Sequence, residues 1–109
     1  MSIASAAQGS PTLVLDTETT LTTQTTAGVY QLVTDLSNLA TGDTLILRIK
    51  TKYYTGGTSR LAFEEVFTNV QGEPNKYSPP IAIDTEIVCT AEQTDGTGRQ
   101  IFWNLLKVS

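Results

Sequence analysis

The chain has 109 residues, 39% hydrophobic and 17% charged, with no His, one Cys and a formal charge of −4. That length bounds a single domain, and the missing His removes His-based general bases, Ser-His-Asp or Cys-His nucleophiles and the usual zinc ligand sets. A lone Cys89 excludes an intramolecular disulfide, the acidic balance speaks against a phosphate-binding surface, and 19 Thr fill the shortfall in charge.

Residues 1–10 are small and polar, with Ile3 the only large aliphatic besides Met1, and Pro11 closes the segment. It lacks a basic n-region and an apolar run of signal-peptide length, so neither a secretion signal nor a membrane span is expected, and a reducing cytosol is the expected place of synthesis. Residues 1–11 read either as a frayed end or as an extended arm that orders against a neighbouring subunit. From residue 12 to 109 short apolar and Thr-rich runs alternate with turn residues, the layout of one all-β domain. Residues 12–23 and 29–36 are predicted strands, broken at Ala27-Gly28, and 35–39 admits one helical turn.

The clearest strand is 44–54, where Leu45, Leu47, Ile49, Thr51 and Tyr53 share one face. Arg48, Lys50 and Lys52 share the other, as a basic stripe. Gly56-Gly57 predicts a hairpin to 59–70, with Leu61 and Phe63 inward and a bulge near Glu64-Glu65 that turns the charges out and Val66 in. The proline-bearing stretch 72–80 reads as a loop, followed by a short edge strand at 81–83. Residues 85–94 place Ile87, Cys89 and Ala91 inward, and 99–108 place Ile101, Trp103 and Leu105 inward. Asp95-Gly96-Thr97-Gly98 predicts a second hairpin between them. Large apolar groups on both faces of 99–108 call for a central position or cover by a partner subunit. The sum is six to eight strands in an antiparallel β-sandwich of jelly-roll or Ig-like connectivity, with a small closed barrel as the alternative.

Little here points to chemistry. The acid pairs Asp16/Glu18, Glu64/Glu65 and Asp84/Glu86 have i, i+2 or adjacent spacing compatible with a carboxylate dyad, yet acids on the solvent faces of an acidic β protein are expected at this density. No calcium-loop or P-loop pattern surrounds them, so no catalytic residue, metal or cofactor is expected. Cys89 reads as an inert buried thiol. The basic stripe pairs with Glu64 or Glu86 across the sheet, or else meets an acidic partner. Tyr53, Tyr54 and Tyr77 fall at loop tips, where Tyr favours interfaces.

The runs LTTQTTAGVYQLVTDL at 21–36, LATGDTLILRIK at 39–50 and AEQTDGTGR at 91–99 resemble small virion proteins of tailed bacteriophages. This resemblance implies a β-sandwich decoration, or cement, protein on the outside of an icosahedral capsid, often trimeric at local threefold positions. Such a protein clamps neighbouring major capsid subunits after shell expansion. The expected partners are the major capsid protein and further copies of the chain, without nucleic acid or membrane; the expected location is the capsid exterior, after synthesis in the host cytoplasm. Candidate interface residues are Ile3, Arg48, Lys50, Lys52, Tyr53, Tyr54, Tyr77, Phe102 and Leu106. A tail or head-fibre component is one alternative. A carbohydrate-binding module stacking sugars on Tyr53, Tyr54, Tyr77 or Trp103 is another, although Trp103 alternates inward.

Overall fold

A computed structural model describes residues 2–108. The described residues form nine strands: β1 (Ile3–Gly9), β2 (Thr19–Gln24), β3 (Gly28–Asp35), β4 (Thr44–Lys52), β5 (Arg60–Thr68), β6 (Asn75–Tyr77), β7 (Ile81–Ile83), β8 (Glu86–Asp95) and β9 (Phe102–Val108). They make two antiparallel sheets, a five-stranded one in the order β1-β9-β3-β6 with β7 also on β3, and a four-stranded one in the order β2-β8-β4-β5. Taking β6 and β7 as two halves of one strand, this is the order of an eight-stranded jelly roll, with the chain passing between sheets at nearly every connection.

The core lies between the sheets and follows the period of two. In β4, Leu45, Leu47 and Ile49 are buried at 0–3% exposure; Ile49 packs in one cluster with Leu32 of β3 and Leu105 of β9, and Leu45 and Leu47 in another with Leu13, Leu36 and Ile101. Tyr30, Ile87, Cys89, Ala91, Ile101 and Trp103 complete the core, so the predicted inward set of the last two long strands holds. β9 is central in its sheet, with β1 on one side and β3 on the other, and its second apolar face is the outer face of that sheet.

Several expectations are corrected. The predicted hairpin between 85–94 and 99–108 does not form, because β8 pairs with β2 and β4 while β9 pairs with β1 and β3 in the opposite sheet. Two strands whose inward faces are both fully apolar bury more surface by facing each other than by lying side by side. The turn at residues 95–98 is therefore an arch between sheets. The predicted strand 12–23 shortens to Thr19–Gln24, since Leu13 is buried from a loop position and Asp16 sits at φ 60 in a turn. The prolines at 74 and 79 do not abolish pairing; they bracket β6, an edge strand the sequence reading missed. At 35–39 there is a turn and no helix, with Ser37 N donating to Asp35 Oδ1 at 2.9 Å and Leu39 N to Leu36 O at 3.1 Å.

The hairpin of β4 and β5 is present, but its bulge is displaced. Ile49 pairs with Phe63 and Lys50 with Leu61, leaving Ala62 as the extra residue. Leu61 is thereby turned outward at 52% exposure, and Val66, paired with Ile46 on the outer face, stays out at 53%. Glu65 keeps the inward parity of Leu47, its partner. It remains exposed because β5 is an edge strand and the side of the sandwich is open there.

Neither a frayed end nor an arm reaching a neighbouring subunit describes residues 3–9, which form strand β1, an edge of the chain's own five-stranded sheet. Small side chains suit that place: Ala6 and Ala7 pack on the core, and Gly9 leaves room for Trp103, whose Nε1 lies 3.0 Å from where a Cβ would stand. Met1 and Ser109, the outer ends of the two predicted segments, lie outside the described residues.

Candidate functional site: the outer faces of the two sheets

The two outer faces differ sharply in charge. On the four-stranded sheet, Arg48 of β4 is held by three carboxylates: Glu64 at 2.7 Å, Glu92 at 2.8 Å and Glu18 at 3.3 Å. Lys50 meets Glu18 at 3.2 Å, and Lys52 reaches Glu86 at 4.0 Å. Strand register sets this up, since Arg48 stands opposite Glu64 on one side and Thr90 on the other, with Lys52 opposite Glu86. The stripe is thus an internally neutralised belt. The hydrogen bonds it donates to Glu64 and Glu92 keep the guanidinium firmly protonated against the cost of burial. Thr90, donating to Glu18 at 2.6 Å, holds that carboxyl below its usual range, with Lys50 and Arg48 adding to the effect against desolvation. Of the predicted acid pairs, only Glu18, Glu64 and Glu86 are drawn into contacts with these cations, and none of the pairs forms a free dyad with its sequence neighbour.

On the five-stranded sheet, β9 turns Phe102, Asn104, Leu106 and Val108 outward, in register with Asp35, Val33, Gln31 and Val29 of β3. β1 adds Ile3 and Ser5 beside Val108 and Leu106, then, past an irregularity at Ala6, Gln8 beside Asn104. β6 and β7 add Asn75, Tyr77 and Ala82. Among the described residues Asp35 is the one formal charge in this array. The face divides along the strands. One end is aliphatic, with Ile3, Val29, Val108 and Leu106; the other is aromatic and amide-rich, with Phe102, Tyr77, Gln8, Asn75 and Asn104.

Of the nine predicted interface residues, the structure therefore brings Ile3, Leu106, Tyr77 and Phe102 onto one face. Arg48, Lys50 and Lys52 lie on the opposite one. Tyr53 and Tyr54 lie apart from both, edge to face with centroids 4.9 Å apart at the tip of the β4–β5 hairpin. Trp103, a predicted sugar platform, is 8% exposed in the core.

The aromatic end carries two shallow depressions on either side of Phe102. One, of about 380 Å³, is lined by Gln8, Gly9, Ser10, Phe102 and Trp103. The other, of about 190 Å³, is lined by Val33, Thr34, Asp35, Asn75, Phe102, Trp103 and Asn104. A third space, about 10 Å³ at the open side between Phe63, Phe67 and Tyr77, is too small for more than one water. Cys89 is fully buried and desolvation pushes its thiol up to about 12, which leaves it without thiolate character. Among the described residues no group of three or more His, Cys, Asp or Glu side chains is placed to hold a metal ion.

Sequence reasoning missed Asp43, which it used only as a turn residue. At 1% exposure it accepts from Arg99 Nε at 2.7 Å, Ala40 N at 2.8 Å and Thr97 N at 3.3 Å. Burial pushes its carboxyl up, but those three donors outweigh burial and hold it below the usual range. Gln93, also buried, clamps the same arch: its side chain donates to the carbonyls of Asp95 and Thr97 and accepts from Arg99 N at 3.0 Å. The motif is architectural, since its polar atoms are spent on the loop that carries the chain from one sheet to the other. The fold and these faces define an all-β jelly-roll sandwich with one self-neutralised and one nearly uncharged outer face. Comparison with family models, with curated proteins and with solved structures finds no match to this chain.

Proposed function

We propose that the chain is a structural protein of a phage virion, a decoration or cement protein that sits on the outside of the icosahedral head and bridges neighbouring major capsid subunits. The observation that carries this reading is the outer face of the five-stranded sheet, which bears Asp35 as its one charge and whose aliphatic end exposes Ile3 at 67% and sets Val29, Leu106 and Val108 beside it. A β-sheet face kept nearly free of charge in a chain of net charge −4 suits contact with protein better than with water. The resemblance of the three sequence runs to tailed-phage virion proteins supports the same reading, and jelly rolls are at home in viral shells, a fold-level analogy only.

Size sets the mode of action. Four strands about 4.8 Å apart, rising about 3.3 Å per residue over some six residues, give a footprint on the order of 400 Å². Stable pairs bury about 800 Å² on each partner, so one such contact is weak by itself. A trimer forming on the shell, with each copy touching both its neighbours and the capsid, gains the rest by avidity.

The test uses purified, expanded heads of the phage that encodes the chain, stripped of it and then mixed with wild-type protein or with the Ile3→Asp/Leu106→Asp double variant. Wild-type protein is expected to co-sediment with heads, and electron microscopy to place it on the head exterior. The double variant, with both changes at exposed or half-buried outer positions, is expected to stay in the supernatant while keeping its thermal midpoint. Location on the tail or on fibres would replace this reading with the alternative virion role. Undiminished binding of the double variant would move the docking surface elsewhere.

A further inference from the structure

We propose that the aromatic end of the five-stranded sheet is a binding site for a neutral oligosaccharide, with the Phe102 ring as its stacking surface and the amides of Gln8, Asn75 and Asn104 as its hydrogen-bonding groups. Phe102 is 42% exposed and separates depressions of about 380 and 190 Å³, a shallow trough on the scale of a short glycan. Exposed rings stack on the C–H faces of sugar rings, and a side-chain amide, carrying a donor and an acceptor together, matches vicinal hydroxyls.

The polar groups here have capacity to spare. Ser5 Oγ donates to Asn104 Oδ1 at 2.7 Å, which leaves the Asn104 NH₂ group free to donate outward. Asp35 Oδ1 accepts from Ser37 N, which leaves Oδ2 free. Thr34 and Trp103 line the depressions from beneath, but their side chains take the inward parity of β3 and β9, so the outward groups of the trough are the Phe102 ring and the amides.

Charge selects the class of ligand. No Lys or Arg lines either depression, and the one ionised group, Asp35, is negative, so phosphate, sulfate and acidic sugars are disfavoured. A purely apolar ligand would bury the amides unpaired, which costs binding free energy. A neutral, hydroxyl-rich chain meets both conditions. The site uses residues other than the aliphatic end, so binding there and docking to a capsid are separable.

The experiment is a ¹H–¹⁵N titration of the full chain with maltoheptaose, cellohexaose, laminarihexaose and chitohexaose, with 3′-sialyllactose and polygalacturonate as acidic comparators, preceded by a printed glycan array that adds any further neutral hit to the series. At least one neutral glycan is expected to shift amides at Gln8, Asn75, Phe102 and Asn104, with Kd between about 0.1 and 10 mM. Phe102→Ala is expected to weaken binding about tenfold, Phe102→Tyr to retain it, and the Ile3→Asp/Leu106→Asp variant to bind as wild type. The proposal is overturned by the absence of shifts in this group for every neutral glycan up to about 10 mM, by tighter binding of the acidic glycans, or by shifts centred on Tyr53 and Tyr54. Capsid binding is read separately, so loss of either property leaves the other standing.

Discussion

Asp43 carries a negative charge at 1% exposure and ties together two stretches of chain more than fifty residues apart, the turn at Ala40 and the arch at Thr97–Arg99. Its Arg99 partner is about one-third exposed, which tempers the interaction, yet removing the carboxylate also orphans two backbone donors. Asp43→Ala is expected to cost about 2–4 kcal/mol, seen as a lower urea midpoint at unchanged m-value. Because the folded carboxyl titrates below its unfolded value of about 3.9, its stabilisation is complete above that pH and is lost as pH falls through the folded value. Asp43→Asn is therefore expected to flatten the acid limb of the stability profile below about pH 4, measured by urea titration at each pH. Gly96 lies against the same carboxylate at φ +88, where an added Cβ meets Asp43 Oδ1, while Gly42 has a similar φ of +93 with nothing within 4 Å. Gly42→Ala is expected to cost about 1 kcal/mol of backbone strain and Gly96→Ala at least about 2, a difference that reports the clash alone.

At the scale of elements, the charged belt on β4 is a balance rather than a surplus. Arg48 sits among Glu18, Glu64 and Glu92, each within 3.3 Å, with side chains 21–41% exposed, so each pair is worth about 0.2–1 kcal/mol. Arg48→Met removes all three attractions and leaves three carboxylates facing one another, for an expected loss of about 1–3 kcal/mol. The sign of the salt effect separates the two causes. Added salt screens attraction in the wild type but repulsion in the variant, so the stability gap measured by urea unfolding is expected to narrow between about 0.01 and 1 M NaCl. The stripe and its pairing with Glu64 are legible in the sequence, because the alternation of β4 and the Gly56-Gly57 hairpin are local. Glu86, the alternative partner read from the sequence, and Glu92 and Glu18 reach the stripe only through sheet order, which sets β8 beside β4 and β2 beside β8.

For the whole molecule, the jelly-roll order leaves each sheet with an outer face, and the composition of those faces divides: an ion-paired charged belt on one, amides and aliphatics with the single charge of Asp35 on the other. A footprint on the order of 400 Å² predicts weak self-association in free solution. Sedimentation velocity at about 10 µM is expected to give a monomer, with higher-order species only on the shell; a stable trimer in solution would show that the contact extends beyond the sheet face. Asp43, at the entry to β4, grips Thr97 and Arg99 and so ties the arch between β8 and β9 to the start of the central strand.

Local alternation by itself determined the all-β class, the buried faces of β4, β8 and β9, the β4–β5 hairpin and the inert place of Cys89, because a period of two and the Gly56-Gly57 turn are properties of neighbouring residues. Only the tertiary structure decided that β8 and β9 oppose each other across the core, that residues 3–9 complete their own sheet, and that the bulge falls at Ala62. Those outcomes depend on which apolar faces bury most together and on contacts between residues distant in the chain. The grouping of Ile3, Tyr77, Phe102 and Leu106 on one uncharged face is of the same kind, since no local pattern records which strands become neighbours.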